Sequence, residues 1–316
     1  MVYLQKEGNV KLMNKTSFVT SAHAKCIIAG EHIVLRGMSA VVFPVITKKI
    51  TLNFSIDEDF KQQDLMPIEG AFSECFIQTF SYALRLAKVS IKKRLYADQF
   101  RLENNIRMGA GIGFSAALCV VIARWLIWMG LLNNKNLFSF SHSLENIFHG
   151  KSSGLDIAGV MSDSPVYYEV AGNIHTINPR WHPDFYLSYS GKPKNTKVAI
   201  EHVQEVRKKH PKLSSLLDKE MQQSVFMVEA ALNSNNKQGL PLLIEAMKHA
   251  NHCFREWNLV SVSLQKHMHW LKELGAIAAK PTGAGEGGYV LSLWEKKPPL
   301  DTGVEFIPLF SYENTF

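Results

Sequence analysis

Arg107-Met-Gly-Ala-Gly-Ile-Gly-Phe-Ser-Ala-Ala117 runs without a break into Leu118-Cys-Val-Val-Ile-Ala-Arg-Trp-Leu-Ile-Trp128, and the fold is read outward from this junction. Three glycines in five residues, Gly109, Gly111 and Gly113, leave backbone N–H groups open and let a ligand come close. The apolar run after them has helix character. A helix starting there adds unpaired N–H groups and the positive end of its dipole. Together they make a seat for an anion, phosphate above all. Ser115 falls in the first turn, where its hydroxyl can touch a phosphate or its metal. The spacing is not G-x-x-x-x-G-K-[ST], because no lysine follows the last glycine. Nor is it G-x-G-x-x-G, because Ala116 stands where that register places its third glycine. Glycine spacing alone leaves phosphate binding and a plain loop-to-helix turn both open.

The chain has 316 residues, enough for a large core and, at roughly 150 residues per domain, for two domains. Hydrophobic residues make up 46% and charged residues 20%, which excludes a disordered chain. Cys26, Cys75, Cys119 and Cys253 lack C-x-x-C spacing and read as buried free thiols of a reducing compartment. Met1-Val-Tyr-Leu-Gln-Lys-Glu-Gly8 lacks the layout of a secretion signal, so a cytoplasmic place is expected. Ala116 to Leu132 approaches the length of a membrane span, but Arg124 interrupts it and a glycine loop feeds it. It reads as a buried core helix. The net charge of +7 is spread out, with short clusters only at Lys92-Lys-Arg94 and Arg207-Lys-Lys209. Without an aromatic-interleaved basic motif, no nucleic-acid partner is expected; the field suits small anionic substrates.

Hydrophobic patterning predicts strands within residues 16–56: Ser17 to Ile28, the apolar run Ile33 to Gly37 after a turn at 29–32, and a half-buried strand in which Ile50, Leu52, Phe54 and Ile56 alternate with polar neighbours. A charged loop is expected over Asp57 to Asp64, a helix over 71–89 and a short strand from Phe100. A helix from Leu137 to Phe148 should stop at Gly150. Ser164 to Val170 and Ile174 to Ile177 read as a hairpin around Ala171-Gly-Asn173. A boundary is expected near 178–183, dividing the chain into 1–180 and 181–316. Beyond it come a strand at Asp184–Ser190, helices over 198–209, 214–234, 241–256 and 262–274, and a strand from Tyr289 to Trp294 after the glycine-rich Lys280 to Gly288. The mixture of strands and helices without strict β-α-β alternation predicts an α+β fold in two domains.

Four separated stretches share a character. Ser21-Ala-His-Ala-Lys-Cys-Ile-Ile-Ala-Gly-Glu-His-Ile-Val-Leu-Arg-Gly37 resembles the opening S-A-P-G-K-V-I-L-x-G-E-H-x-V-x-x-G of the GHMP kinases. The 107–117 stretch resembles that family's G-A-G-L-G-S-S-A-A. His149-Gly-Lys-Ser-Ser-Gly-Leu-Asp156 is similar to H-G-x-x-S-G-[IV]-D, and Lys280 to Gly288 to K-x-T-G-A-G-G-G-G. Order and spacing agree, and the resemblance covers residues 17–295. Gly30-Glu-His32, His149-Gly150 and Ala276 to Lys280 favour the branch that phosphorylates mevalonate.

The resemblance implies an ATP- and Mg2+-dependent kinase with an S5-like N-terminal domain, a ferredoxin-like C-terminal domain and an active site in the cleft between them. Asp156 matches the family's catalytic base, which takes the proton of the attacking hydroxyl. Lys25 matches the lysine that keeps this acid ionised and neutralises the transferring phosphoryl group. Gly109, Ala110, Gly111, Gly113, Ser115 and Ala116 match the phosphate loop, and Ser115 and Glu145 the magnesium ligands. Glu31, His32, Gly283, Ala284 and Gly285 match the acceptor side. No zinc spacing is present, and a homodimer is compatible with the family.

The chain departs from the family at several points. His23-Ala24 replaces Pro-Gly, Arg107-Met108 stands where proline is usual, Phe114 replaces the first loop serine, Ile157 replaces a polar residue, and Glu286 interrupts the last glycine run. These keep other readings open: phosphomevalonate or a sugar as acceptor, or a nucleotide-binding homologue with weakened catalysis.

Overall fold

The computed structural model describes residues 4–6, 9–11, 17–55, 71–91, 100–150, 152–170, 174–193 and 196–310. The expected charged loop 57–64, the cluster 92–94, residue 151 of the third motif and the expected turn 171–173 lie outside them. The chain divides into two compact units that interleave along the sequence. One comprises Met1–His23, Lys48–Ile106 and Phe114–Ser152; the other comprises Ala24–Thr47, Arg107–Gly113 and Ser153–Phe316.

The first unit is built on aromatic packing. β1 (Leu4–Lys6) pairs antiparallel with β2 (Asn9–Lys11) and with β5 (Val89–Ile91). The last part of β4 (Ser39–Ser55) pairs antiparallel with β6 (Phe100–Asn104). Ile50, Leu52 and Phe54 of β4 are buried, as the alternation requires. α1 (Ala71–Leu86) and α2 (Phe114–Trp128) cover this sheet. Trp125 of α2 meets Phe80 at 5.1 Å and Phe54 at 5.4 Å, and Phe100 closes the cluster 4.9 Å from Phe54. α2 is buried nearly all round, because α3 (Leu137–His149) covers another of its faces. Its one charge, Arg124, donates to the Ser21 carbonyl, which is how a cation is tolerated in that run. No helix among the described residues is long and apolar enough to cross a membrane.

The second unit holds a four-stranded antiparallel sheet in the order β10 (Ala278–Pro281), β11 (Tyr289–Trp294), β9 (Asp184–Tyr189), β12 (Ile307–Pro308). α7 (Asn236–Glu256) and α8 (Val262–Glu273) lie against β10. α6 (Pro211–Leu232) packs on α7 around Leu217, Met221, Ala250, Phe254 and Trp257, and α5 (Thr196–Lys209) packs on α6. The start of β4 carries β3 (Ser17–Ala29) on one side and β7 (Val166–Glu169) on the other, with β8 (Ile174–Thr176) as the hairpin partner of β7. α4 (Leu155–Met161) leads into β7.

Three details differ from the sequence reading. Ile33–Arg36 is a short 3-10 turn, not a strand: Gly30 (φ 103°), His32 (φ 64°) and Gly37 (φ 83°) turn the chain on both sides of it. β10 and β12 are strands too short to show a period in the sequence. Cys75 is half-buried; Cys26, Cys119 and Cys253 are buried, and all four are free.

Candidate active site

In the second unit, β3 delivers Lys25 and α4 delivers Asp156 to one place. Lys25 is 1% exposed, and its Nζ lies 2.9 Å from Asp156 Oδ1. The same Nζ donates to the Gly111 carbonyl at 3.2 Å, and the Lys25 backbone N–H donates to Ile112 O at 2.9 Å. The glycine loop is thus bound to the strand that carries the lysine. Asp156 stands in the first turn of α4 with its side chain 26% exposed, so a small hydroxyl compound can reach the carboxylate. Gly113 must be glycine: its φ is 87°, and a Cβ there would come within 2.8 Å of Lys25 Cγ. Gly159, three residues after Asp156, serves the same purpose from the other side, since its Cβ would meet Val42 at 2.6 Å and Lys25 Cβ at 3.0 Å. The lysine stem therefore runs in a slot cut by two absent side chains.

A second polar cluster of the same unit joins the turn 30–32 to the last glycine stretch. Lys280 Nζ donates to Glu31 Oε1 at 2.6 Å, with both side chains sealed from solvent. Burial pushes the Glu31 carboxyl up, against the pull of the Lys280 charge. Thr282 Oγ1 donates to Ile27 O at 2.9 Å. Cys26 lies beside it, and burial raises its thiol to about 11, so it is not a nucleophile at neutral pH. His32 Nε2 donates to Ala284 O at 3.0 Å, between Gly283 and Gly285. The φ of 64° at His32 is costly for a residue with a Cβ, about 1–3 kcal/mol.

In the first unit, Ser115 lies in the first turn of α2, two residues after Gly113, with Ala116 buried beside it. The fully buried Glu145 of α3 accepts from Ser152 Oγ through Oε2 at 2.6 Å. The Cys119 thiol of α2 is pushed well up, by burial first and then by the charge of Glu145. Ser115 and Cys119, one turn apart, lie on the same face of α2, and α3, which carries Glu145, packs against α2. A carboxylate and a hydroxyl form a hard-oxygen pair that suits Mg2+. Among the described residues no cluster of three or more His, Cys, Asp or Glu side chains could hold a metal by itself.

The departures find places too. Phe114 packs edge-on against Phe72 of α1 at 5.8 Å. Arg107 lies 4.3 Å from the ring centre of Tyr189, so the loop entry is held by a cation on an aromatic face instead of by proline. Glu286 adopts φ 67°, a glycine-like conformation, and its carboxylate lies 3.4 Å from His202 Nδ1.

The sequence reading attached no role to Lys280, Thr282 or Gly159. The first two were visible only as letters of the last motif. The third carried the signal of a glycine inside a short helix.

Residues 79–163 match the family model described as the GHMP kinases N terminal domain. The chain is 26% identical to the mevalonate kinase of Thermococcus gammatolerans, covering 88% of this chain and 90% of that one. It is 24% identical to that of Aeropyrum pernix, covering 91% of each. The structure superposes on that of L. major mevalonate kinase in complex with R-mevalonate with a TM-score of 0.70 at 19% identity, over 90% of this chain and 89% of that one. The superposition establishes a shared fold. The chain is thus similar to the GHMP kinases, in its N-terminal part by the family model and over about nine-tenths of its length by these relatives. Its similarity is to the mevalonate kinases of that family.

Proposed function

We propose that the protein transfers the γ-phosphoryl group of ATP to the primary hydroxyl of mevalonate, giving 5-phosphomevalonate in the cytoplasm. The observation that carries this reading is the Lys25–Asp156 pair, with the lysine sealed, the acid open and the lysine also bound to the glycine loop. Asp156 accepts the proton of the acceptor hydroxyl as its oxygen attacks phosphorus. Lys25, 2.9 Å from that carboxylate, sets its positive charge beside it and offsets charge on the phosphoryl group. Gly109, Ala110, Gly111 and Gly113, followed by Ser115 and Ala116, offer backbone N–H groups to the phosphates. Ser115 and Glu145 would hold Mg2+, which supplies positive charge against the phosphate oxygens. Glu31, His32, Gly283, Ala284 and Gly285 shape the acceptor seat. Most of the rate then comes from positioning and charge neutralisation.

The test is ADP release with mevalonate, phosphomevalonate, galactose and homoserine as acceptors, with ATP and Mg2+ present. Mevalonate should give the highest kcat/KM. Faster turnover of another acceptor reassigns the substrate. No turnover with any acceptor, together with ATP binding in calorimetry, makes the protein a nucleotide-binding homologue without catalysis.

A further inference from the structure

Lys280 is a lysine where none is expected: at the edge of a sheet, with no exposure to solvent. Its ammonium group is held by the Glu31 carboxylate at 2.6 Å, the Ile27 carbonyl at 3.5 Å and the face of Phe254 at 5.4 Å. Among the described residues Glu31 Oε2 is buried with no hydrogen-bond partner, and the Lys280 charge is the largest counterweight to the burial of this carboxylate. A buried pair of this kind is seldom kept for stability, because a well-packed apolar pair of similar volume does as well. Its positions in the chain suggest what it is kept for. The next residue after Glu31 is His32, held with φ 64° by its hydrogen bond to Ala284 O. Its ring stands edge-on to Trp257 at 5.3 Å and to Phe254 at 6.1 Å, the same phenylalanine that Lys280 covers. Two adjacent residues of one turn thus reach two points of the last glycine stretch, four residues apart. Because a carbonyl only accepts, the His32 proton must sit on Nε2.

We propose that Lys280 is a positioning residue: through Glu31 it holds the strained His32 and the 282–285 turn as one rigid unit, with the His32 proton fixed on Nε2. The effect on acceptor binding rests on the kinase reading above; the effect on His32 does not.

The experiment compares native protein, Lys280→Met, Glu31→Gln and the double variant Lys280→Met/Glu31→Leu. Two readouts are used: acceptor KM and kcat, and the nitrogen NMR spectrum of the histidine rings, with His32 assigned by difference against His32→Asn. Lys280→Met should displace the His32 Nε2–H signal and raise acceptor KM about tenfold with kcat within about twofold, the pattern of a lost binding geometry. Glu31→Gln still accepts a hydrogen bond from Lys280 and should keep the His32 Nε2–H signal of the native protein; because Glu31 belongs to the acceptor seat, its KM is not used as a control. The double variant removes both charges and should regain thermal stability without regaining KM or the His32 signal, which also covers the case of a single variant that does not fold. If the double variant restores KM and signal along with stability, the pair is only structural and the proposal fails. An unchanged His32 signal in Lys280→Met also overturns it. If the native protein phosphorylates no acceptor, the kinase reading fails while the nitrogen spectra still decide the role of Lys280.

Discussion

Lys25–Asp156 and Lys280–Glu31 are both lysine–carboxylate pairs of the second unit, with contacts of 2.9 and 2.6 Å. In both the lysine is sealed. They differ at the acid: the Asp156 side chain is 26% exposed, that of Glu31 1%. A carboxylate that keeps a wet side can meet an incoming hydroxyl and take its proton; a carboxylate shut in by its partner can only hold. The same chemical pair therefore serves reaction at one place and rigidity at the other, and burial of a single carboxylate separates the two.

The comparison breaks most sharply at the reactive pair. Asp156→Asn should lower kcat by about a thousandfold or more, with calorimetric ATP binding retained, since the general base and its negative charge are removed together. Near-native turnover would show that Asp156 is not the base. Stability should rank the pairs the other way. Lys280→Met leaves a carboxylate buried without a partner and should cost about 3–5 kcal/mol in denaturant unfolding. Lys25→Met leaves Asp156 open to water and should cost no more than about 1 kcal/mol. Equal losses would mean the two acids do not differ in exposure in solution.

Gly113→Ala sharpens the link between the reactive lysine and the loop. With φ at 87° and Lys25 Cγ in the way, the variant should lose about 1–3 kcal/mol of stability and about tenfold in kcat. A loss of stability alone would separate the lysine's position from the loop's.

The smallest effect is one of pH. Burial holds the Glu31 carboxyl above its unfolded value, so the folded chain binds this proton more tightly than the unfolded chain does. The group's contribution to stability is therefore full below the ordinary carboxylate range and falls as pH rises through the raised value. Glu31→Gln removes that fall, so its melting temperature should change less between pH 5 and pH 8 than that of the native protein. The Lys280→Met penalty should for the same reason be larger at pH 8. A native-like pH slope in Glu31→Gln would remove Glu31 as its source.

Much of this was legible along the chain. Strand alternation at Ile50, Leu52 and Phe54, the stop at Gly150 and the buried helix after Gly113 follow from local period and local glycine chemistry. The motif residues Lys25 and Asp156 were legible as a resemblance before their contact was known. Other features were not. Ile33–Arg36 is apolar enough for a strand, and only the backbone turns at its ends make it a 3-10 turn. Glu286 read only as an interruption of the last glycine run, whereas its backbone conformation and His202 give it a place of its own.

Residue order alone settled the helix that follows the glycines, the strands with a clear period and the family that the four motifs resemble. Each is carried by neighbours within a few positions, where spacing and side-chain type already express the physics. Tertiary structure alone decided that Lys280 meets Glu31 across 249 positions, that Gly159 makes room for the stem of Lys25, and that one acid stays wet while the other is shut in. Burial and the partner of a charge are properties of what surrounds it in space, and no local window of sequence contains them.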